Sequence, residues 1–320
     1  MNGNALTCSV LIPTRDEAQR LRATLEALAA QDLPADRFEV LVVDHGVADT
    51  TPAVIDDLRP HLTLRYICKP GPQLTAAEAR NTGVSYARAP ICVFLEAGVL
   101  PHPGCLNAHL AAHRAALGPA VVYGLVHSLD SRSHRRVATR IEPGRADSAD
   151  PADPRERFLA KYGDDVDALP APWLVFQARN ASVGTDRLRR LGGFDEALGS
   201  AQGADFDLGY RLHRDGARFR LDRQADAALL PRPPIQAPVP AHAPTPIALA
   251  AAAQGARPAD ADLRHIAAKY DTPITRLLPL FPFIDIHTMN DVIRQLGLPD
   301  CPDYLARRDR TPRRALAPAA

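Results

Sequence analysis

Paired cysteines are the first thing this sequence lacks. Its five cysteines, Cys8, Cys68, Cys92, Cys105 and Cys301, are odd in number and include no Cys-x-x-Cys pair. Neither a disulfide framework nor a structural zinc site is expected. An excess of one charge is also missing. The 38 Lys and Arg nearly cancel the 37 Asp and Glu, leaving +1. That balance gives no whole-surface attraction to nucleic acid or anionic membrane, so no nucleic-acid partner is expected. No apolar run approaches the roughly 20 residues of a spanning helix. Residues 1–7 show no basic stretch leading into an apolar one, so no signal peptide is expected. No internal repeat is found. A soluble, reducing, cytoplasmic setting is the expectation.

What is present is an alternation of two periods. With 320 residues, 46% of them hydrophobic, the chain can build a full core. Short apolar runs at 8–14, 38–44, 62–67, 91–95 and 121–127 read as buried strands. Between them, 16–31, 50–58, 74–87 and 103–117 read as helices, Leu21, Leu25 and Leu28 sharing one face. Strands alternating with helices of this length predict βαβ units and a mostly parallel α/β sheet flanked by helices. Residues 142–156 read as a loop, 173–183 as the return of structure, 186 onwards and 205–215 as helices, and 218–221 as a strand. One large unit over 1–230 is followed by a Pro- and Ala-rich linker over 231–258. A small helical C-terminal region over 259–320 completes the chain, its last residues a basic, frayed tail. The apolar stretch at 277–284 is broken by Pro and too short to span a bilayer. Docking on the first unit is expected for it, with covering of the acceptor site, a membrane surface or a protein partner as the other readings.

Ligands of such sheets bind beyond the carboxyl ends of the strands. Four groups of residues stand there. Asp44, closing the second strand before Gly46, reads equally as an acceptor for a base or ribose and as a turn residue. Arg80, in a helix of small residues, can reach a diphosphate, or lie solvated. Glu96-Ala97-Gly98 follows a strand. Two carboxylates at that spacing would hold a divalent cation; here there is one, and turn capping is an equal reading. Asp205 follows a Gly-containing loop. It reads as a general base at a pocket edge, or as a helix cap, which local pattern favours.

Taken in order, these segments resemble the family 2 glycosyltransferases of the GT-A (Rossmann-like) fold, over about 9–222. Residues 9–15 look like the family's opening strand and nucleotide loop, bringing Pro13 and Arg15 to the nucleotide. Residues 40–46 look like its second strand, with Asp44 at the base-binding position. Residues 79–83 match the helix beside the diphosphate, and 93–104 fall on the strand that ends in the family's Asp-x-Asp. Residues 178–183 and 191–197 match the acceptor-side strand and loop, with Asn180 in that strand. On the acceptor side too, Trp173, just before it, reads as a ring to stack on an acceptor or equally as a core anchor, and Asp207, on another face of its helix, as the weaker candidate base. Asp205 falls on the second member of the family's Glu-Asp pair, the acceptor's base.

The departures are specific. Gly98 stands where a metal-binding Asp is usual, Ala204 where the Glu is, and His45 where a second Asp is common. The stretch 226–232 contains no His. The resemblance implies a hexosyltransferase-like enzyme moving a sugar from a nucleoside-diphosphate sugar to an acceptor hydroxyl, usually with inversion. The Mg2+ or Mn2+ that normally steadies the diphosphate has lost its ligands, so no metal ligand is assigned. Side-chain cations, with Lys69, Arg80, Arg179 and Arg232 as candidates, are expected to replace it. The other readings are a binding or partner protein that has lost the chemistry, and a tailoring transferase with an unusual donor or acceptor.

Overall fold

Alternate residues of each central strand enter opposite layers, and the sequence pattern follows that rule. The computed structural model describes residues 5–46, 50–69, 75–129, 153, 155–231, 258–280 and 286–299. Strands β1 (Cys8–Thr14), β2 (Phe38–Asp44), β3 (Leu64–Cys68) and β4 (Ile91–Leu95) alternate with helices α1 (Ala18–Ala29), α2 (Thr51–Leu58) and α3 (Ala76–Tyr86). Then come β5 (Val99–Pro101), α4 (Cys105–Ala115), β6 (Ala120–Tyr123), β7 (Val126–Ser128) and α5 (Arg155–Tyr162). Next are β8 (Asn180–Gly184), α6 (Thr185–Arg190), α7 (Ala201–Arg214), β9 (Arg218–Leu221) and β10 (Ala227–Leu229). The described C-terminal helices are α8 (Pro258–Tyr270) and α9 (Ile286–Gln295).

The main sheet has the order β3-β2-β1-β4-β8-β6-β9. Its β1, β2, β3 and β4 run parallel; β8 is antiparallel to both β4 and β6. A small sheet, β5-β10-β7, lies apart. Val10, Ile12, Val40, Val42, Val93 and Leu95 join α1, α2 and α4 in one core. Leu11, Leu41 and Phe94 face the other side, where α3, α6, α7, α8 and α9 pack. Each fully buried Val or Leu contributes roughly 1.5–3 kcal/mol, so this two-sided burial drives the α/β layering.

Three boundaries differ from the sequence reading. The expected strand over 121–127 breaks at Gly124, where a Cβ would stand 1.7 Å from the Ala225 carbonyl oxygen. The chain there turns from the main sheet into the small one. The helix expected to begin at Asp205 begins at Ala201: Ser200 caps it, accepting from the Gly203 amide. Arg155 and Glu156, read as loop, start α5. Most of the expected linker, the rest of the 142–156 loop and the basic tail lie outside the described residues. Among the described residues no helix is long and apolar enough to cross a membrane.

Candidate active site

Register brings the strand ends into line. Thr14 pairs with Asp44, Asp44 with Cys68, and Leu11 with Phe94, so residues 15, 45 and 96 emerge along one edge. Leu95 pairs antiparallel with Asn180, which sets Arg179 across from Glu96. A cavity of about 830 Å³ opens along this edge, lined by Pro13, Arg15, Asp16, Arg20, His45 and Arg80 among others. A smaller cavity of about 180 Å³, lined by Gln177, Arg179, Gln202, Asp205 and Phe206, adjoins it. Glu96 belongs to both.

The wall between them is an ion-pair chain. Helix α3 starts in a capping box in which Thr75 and Glu78 exchange hydrogen bonds. Its small residues let it approach the sheet closely; a Cβ on Gly83 would stand 3.2 Å from Leu11. That seats Arg80, only 1% exposed, beneath the strand ends. Its Nη2 donates to Glu96 at 3.0 Å and its Nη1 to Asp205 at 3.5 Å. Its guanidinium lies over the Phe194 ring, 5.3 Å from the centroid. The next residue, Asn81, exchanges hydrogen bonds with the Phe194 backbone, clamping the 191–197 loop onto α3. Asn81 and Phe194 stand in the 79–83 and 191–197 segments, but their partnership is visible only across the fold.

Asp205 sits within the second turn of α7, 7% exposed. The capping role that local pattern favoured is therefore excluded. One oxygen accepts from the Ala178 amide at 3.2 Å. Burial raises its carboxyl strongly, the Arg80 guanidinium opposes the rise, and the Glu96 charge adds to it; the balance pushes it up to about 7. A carboxylate near 7, lining a cavity, is poised to take a proton at neutral pH. Burial lowers the His45 imidazole from its ordinary value, with the Arg15 charge acting the same way, so the ring lining the larger cavity is neutral.

Several buried polar atoms around the cavities have no partner among the described residues: Thr14 Oγ1, Arg80 Nε, Gln177 Oε1 and Arg179 Nε. Leaving a buried polar group unanswered costs about 1–3 kcal/mol, so these atoms point to a polar ligand.

Other expected site residues stand elsewhere. Asp44 is 4% exposed, beside His45 of the larger cavity; its oxygens accept from the Gly46 amide at 2.8 Å, which holds the turn, and from the Tyr66 hydroxyl at 2.7 Å. Trp173 is 0% exposed and meets Phe206 and Tyr210 edge to face, so it is a core anchor and cannot stack on an acceptor. Asn180 is buried, donating to the carbonyls of Leu125 and Ala225 and accepting from His109. It ties strands together behind the site. Asp207 is fully buried on another face of α7, held by Arg211, Lys269 and Tyr270. Lys69 is exposed, donates to Thr82 and lines neither cavity. Arg232 lies outside the described residues. Of the proposed cations, Arg80 and Arg179 reach the cavities. Among the described residues no three His, Cys, Asp or Glu are grouped to hold a metal ion.

Comparison with known proteins bears on this geometry. The profile of glycosyl transferase family 2 matches residues 9–172. A validoxylamine A glucosyltransferase of Streptomyces hygroscopicus subsp. jinggangensis is 34% identical over 235 residues, covering 68% of this chain and 54% of that protein. An uncharacterised glycosyltransferase of Bacillus subtilis is 26% identical, covering 68% and 63%. The chain spans about half the length of the validoxylamine A glucosyltransferases it matches. A mannosyltransferase of Pyrobaculum calidifontis, solved with GDP-Man and Mn2+, superposes with a TM-score of 0.56 at 19% identity, covering 94% of this chain and 79% of that one. TarS of S. aureus with UDP-GlcNAc gives 0.53 at 18% identity, covering 71% and 59%. These two likenesses establish the GT-A fold.

Proposed function

The chain belongs to glycosyl transferase family 2, and from that premise we propose that it transfers a sugar from a nucleoside diphosphate to an acceptor hydroxyl, with inversion. The larger cavity takes the nucleoside diphosphate and the smaller one the acceptor. Asp205 faces the smaller cavity and takes the proton of the acceptor hydroxyl. The acceptor oxygen then attacks the anomeric carbon from the face opposite the diphosphate. A carbon–oxygen bond forms, the bond to the diphosphate breaks, and the nucleoside diphosphate leaves with the electron pair. Arg80 sits between the two cavities, where it orients Asp205 and Glu96 and lends positive charge toward the leaving group. Arg179, across the strand pairing from Glu96, supplies a second cation from the acceptor side. One observation carries this reading: a buried carboxylate near 7 lining the smaller cavity and ion-paired through Arg80 to Glu96, which borders both.

The acceptor is proposed to be a small polyhydroxylated molecule. The 34%-identical relatives are named for glucosyl transfer to validoxylamine A, and the acceptor cavity is small. The test is a thermal-shift panel of UDP, GDP, CDP and dTDP, followed by turnover with the sugar of whichever nucleotide stabilises the fold. The reading requires one nucleotide to raise the melting temperature and its sugar to be consumed. Stabilisation without turnover on any polyol would instead establish a binding protein, and no stabilisation at all would remove the donor assignment.

A further inference from the structure

Residue 98 is where the family resemblance places a metal-binding carboxylate. Here it is Gly98, with φ of 90°. A Cβ built on it would stand 2.3 Å from Cζ and Nη2 of Arg20, and 2.7 Å from its Nε. The space that an aspartate would need is filled by a guanidinium. That guanidinium collects oxygens. Its Nη2 donates to the Ala97 carbonyl at 2.9 Å, its Nη1 to the carbonyls of Leu230 and of Pro231, the latter at 3.0 Å. Its Nε lies 3.2 Å from a Glu17 carboxylate oxygen. Three carbonyls and a carboxylate around one positive centre form the kind of oxygen shell that a hard divalent cation takes. The same junction is tied elsewhere: Gly98 N donates to Thr24 Oγ1 at 2.8 Å, and Leu230 N to Gly98 O at 2.9 Å. Arg20 is 8% exposed and lines the larger cavity together with Arg80, Glu96 and Ala97.

The residues present therefore do not fit a metal ion at this edge of the site. We propose that Arg20 is the site's built-in cation: it gathers the chain at Glu17, Ala97, Leu230 and Pro231 and sets a permanent positive charge beside the diphosphate. The inference rests on the donor assignment above. A guanidinium holds its proton at any working pH, so the charge is not lost to chelators or acid.

The experiment uses the full chain and calorimetric titration with UDP and GDP, and with uridine and guanosine as the uncharged counterparts. The wild-type protein is expected to bind one diphosphate equally well in excess EDTA and in MnCl2, and to take up no Mn2+ detectable by electron paramagnetic resonance in the presence of that diphosphate. In Arg20→Gln, diphosphate affinity is expected to fall about 10–100-fold, the loss of one charge-assisted contact, while nucleoside affinity stays near wild type. Arg20→Lys should recover part of the difference. Diphosphate binding that needs Mn2+ in the wild type overturns the inference without any variant being made. So does an equal fall of nucleoside and diphosphate affinity in Arg20→Gln, which would mark a purely structural clamp. Failure of the wild type to bind these four ligands, and CDP, dTDP and their nucleosides as well, is a different result: it removes the donor assignment itself.

Discussion

A carboxylate at 7% exposure is tolerated as an anion only where other groups answer its charge, and Asp205 is answered incompletely. Its folded value, about 7, lies above the ordinary carboxylate value because burial outweighs the Arg80 pairing. Turnover should therefore rise with pH through about 7 and level off above it. Stability runs the other way. The raised value makes the protonated form the better fit to the fold, so that contribution is fully present below about pH 4 and is lost as pH rises through the folded value. Asp205→Asn should cut turnover about 10²–10⁴-fold while leaving nucleotide affinity near wild type. It should also melt above the wild type in alkaline buffer, with the gap closing on acidification. A variant that keeps its rate excludes Asp205 as the base. Arg80→Met leaves two carboxylates without their cation, a change that costs about 3–5 kcal/mol when such a pair is buried. Denaturant unfolding should show that loss, and the pH limb of any residual turnover should move upward, because Arg80 is the group that lowers Asp205. Asp205 and Arg80 were legible as residues because each falls within a local motif. Arg20 was not, because nothing adjacent in sequence announces that its guanidinium meets residues 97 and 230. Trp173 and Asn180 misled for the converse reason: one precedes the acceptor-side strand and the other opens it, but their side chains are buried in the interior.

At the scale of elements, α7 depends on a helix far along the chain. Ser200 caps it, and Asp262 of α8 accepts from the amides of Gly199 and Ser200 and from the Ser200 hydroxyl. A Cβ on Gly203 would stand 2.6 Å from Asp262, so the first turn of α7 and the Asp262 side chain are in close packing. Asp262→Ala should cost about 1–3 kcal/mol by leaving those donors unanswered. It should also lower kcat more than nucleotide affinity, since α7 carries Asp205 and not the donor cavity's main wall. Equal loss of both would show that α7 moves with the donor site. The start of this helix was misplaced from sequence because Gly203 read as loop, whereas the glycine is required by contact with α8. The break at Gly124 was missed for a like reason: its cause is the carbonyl of Ala225, remote in sequence.

At the scale of the molecule, the C-terminal helices complete a core begun by β1 and β4. Leu263, Ile266, Met289 and Ile293 are at most 1% exposed and join the cluster of Phe206, Leu208 and Tyr210. A chain ending at residue 231 should therefore lose its cooperative melting transition and its near-ultraviolet dichroism, and bind a hydrophobic dye. A sharp two-state melt of that fragment would show that the α/β unit is self-sufficient. The parallel half of the sheet was legible because βαβ units repeat a local pattern. The antiparallel insertion of β8 was not, because strand direction is decided by pairing with distant neighbours. The bond from Arg20 to the Leu230 carbonyl closes a separation of 210 positions. Such contacts form only after the entropy of a very long loop has been overcome, and that places them late in folding. In pulse-labelling hydrogen exchange, the Leu230 amide, which donates to the Gly98 carbonyl, should gain protection after the amides of β1 and β2, so the donor pocket would mature as a last event on a sheet already formed.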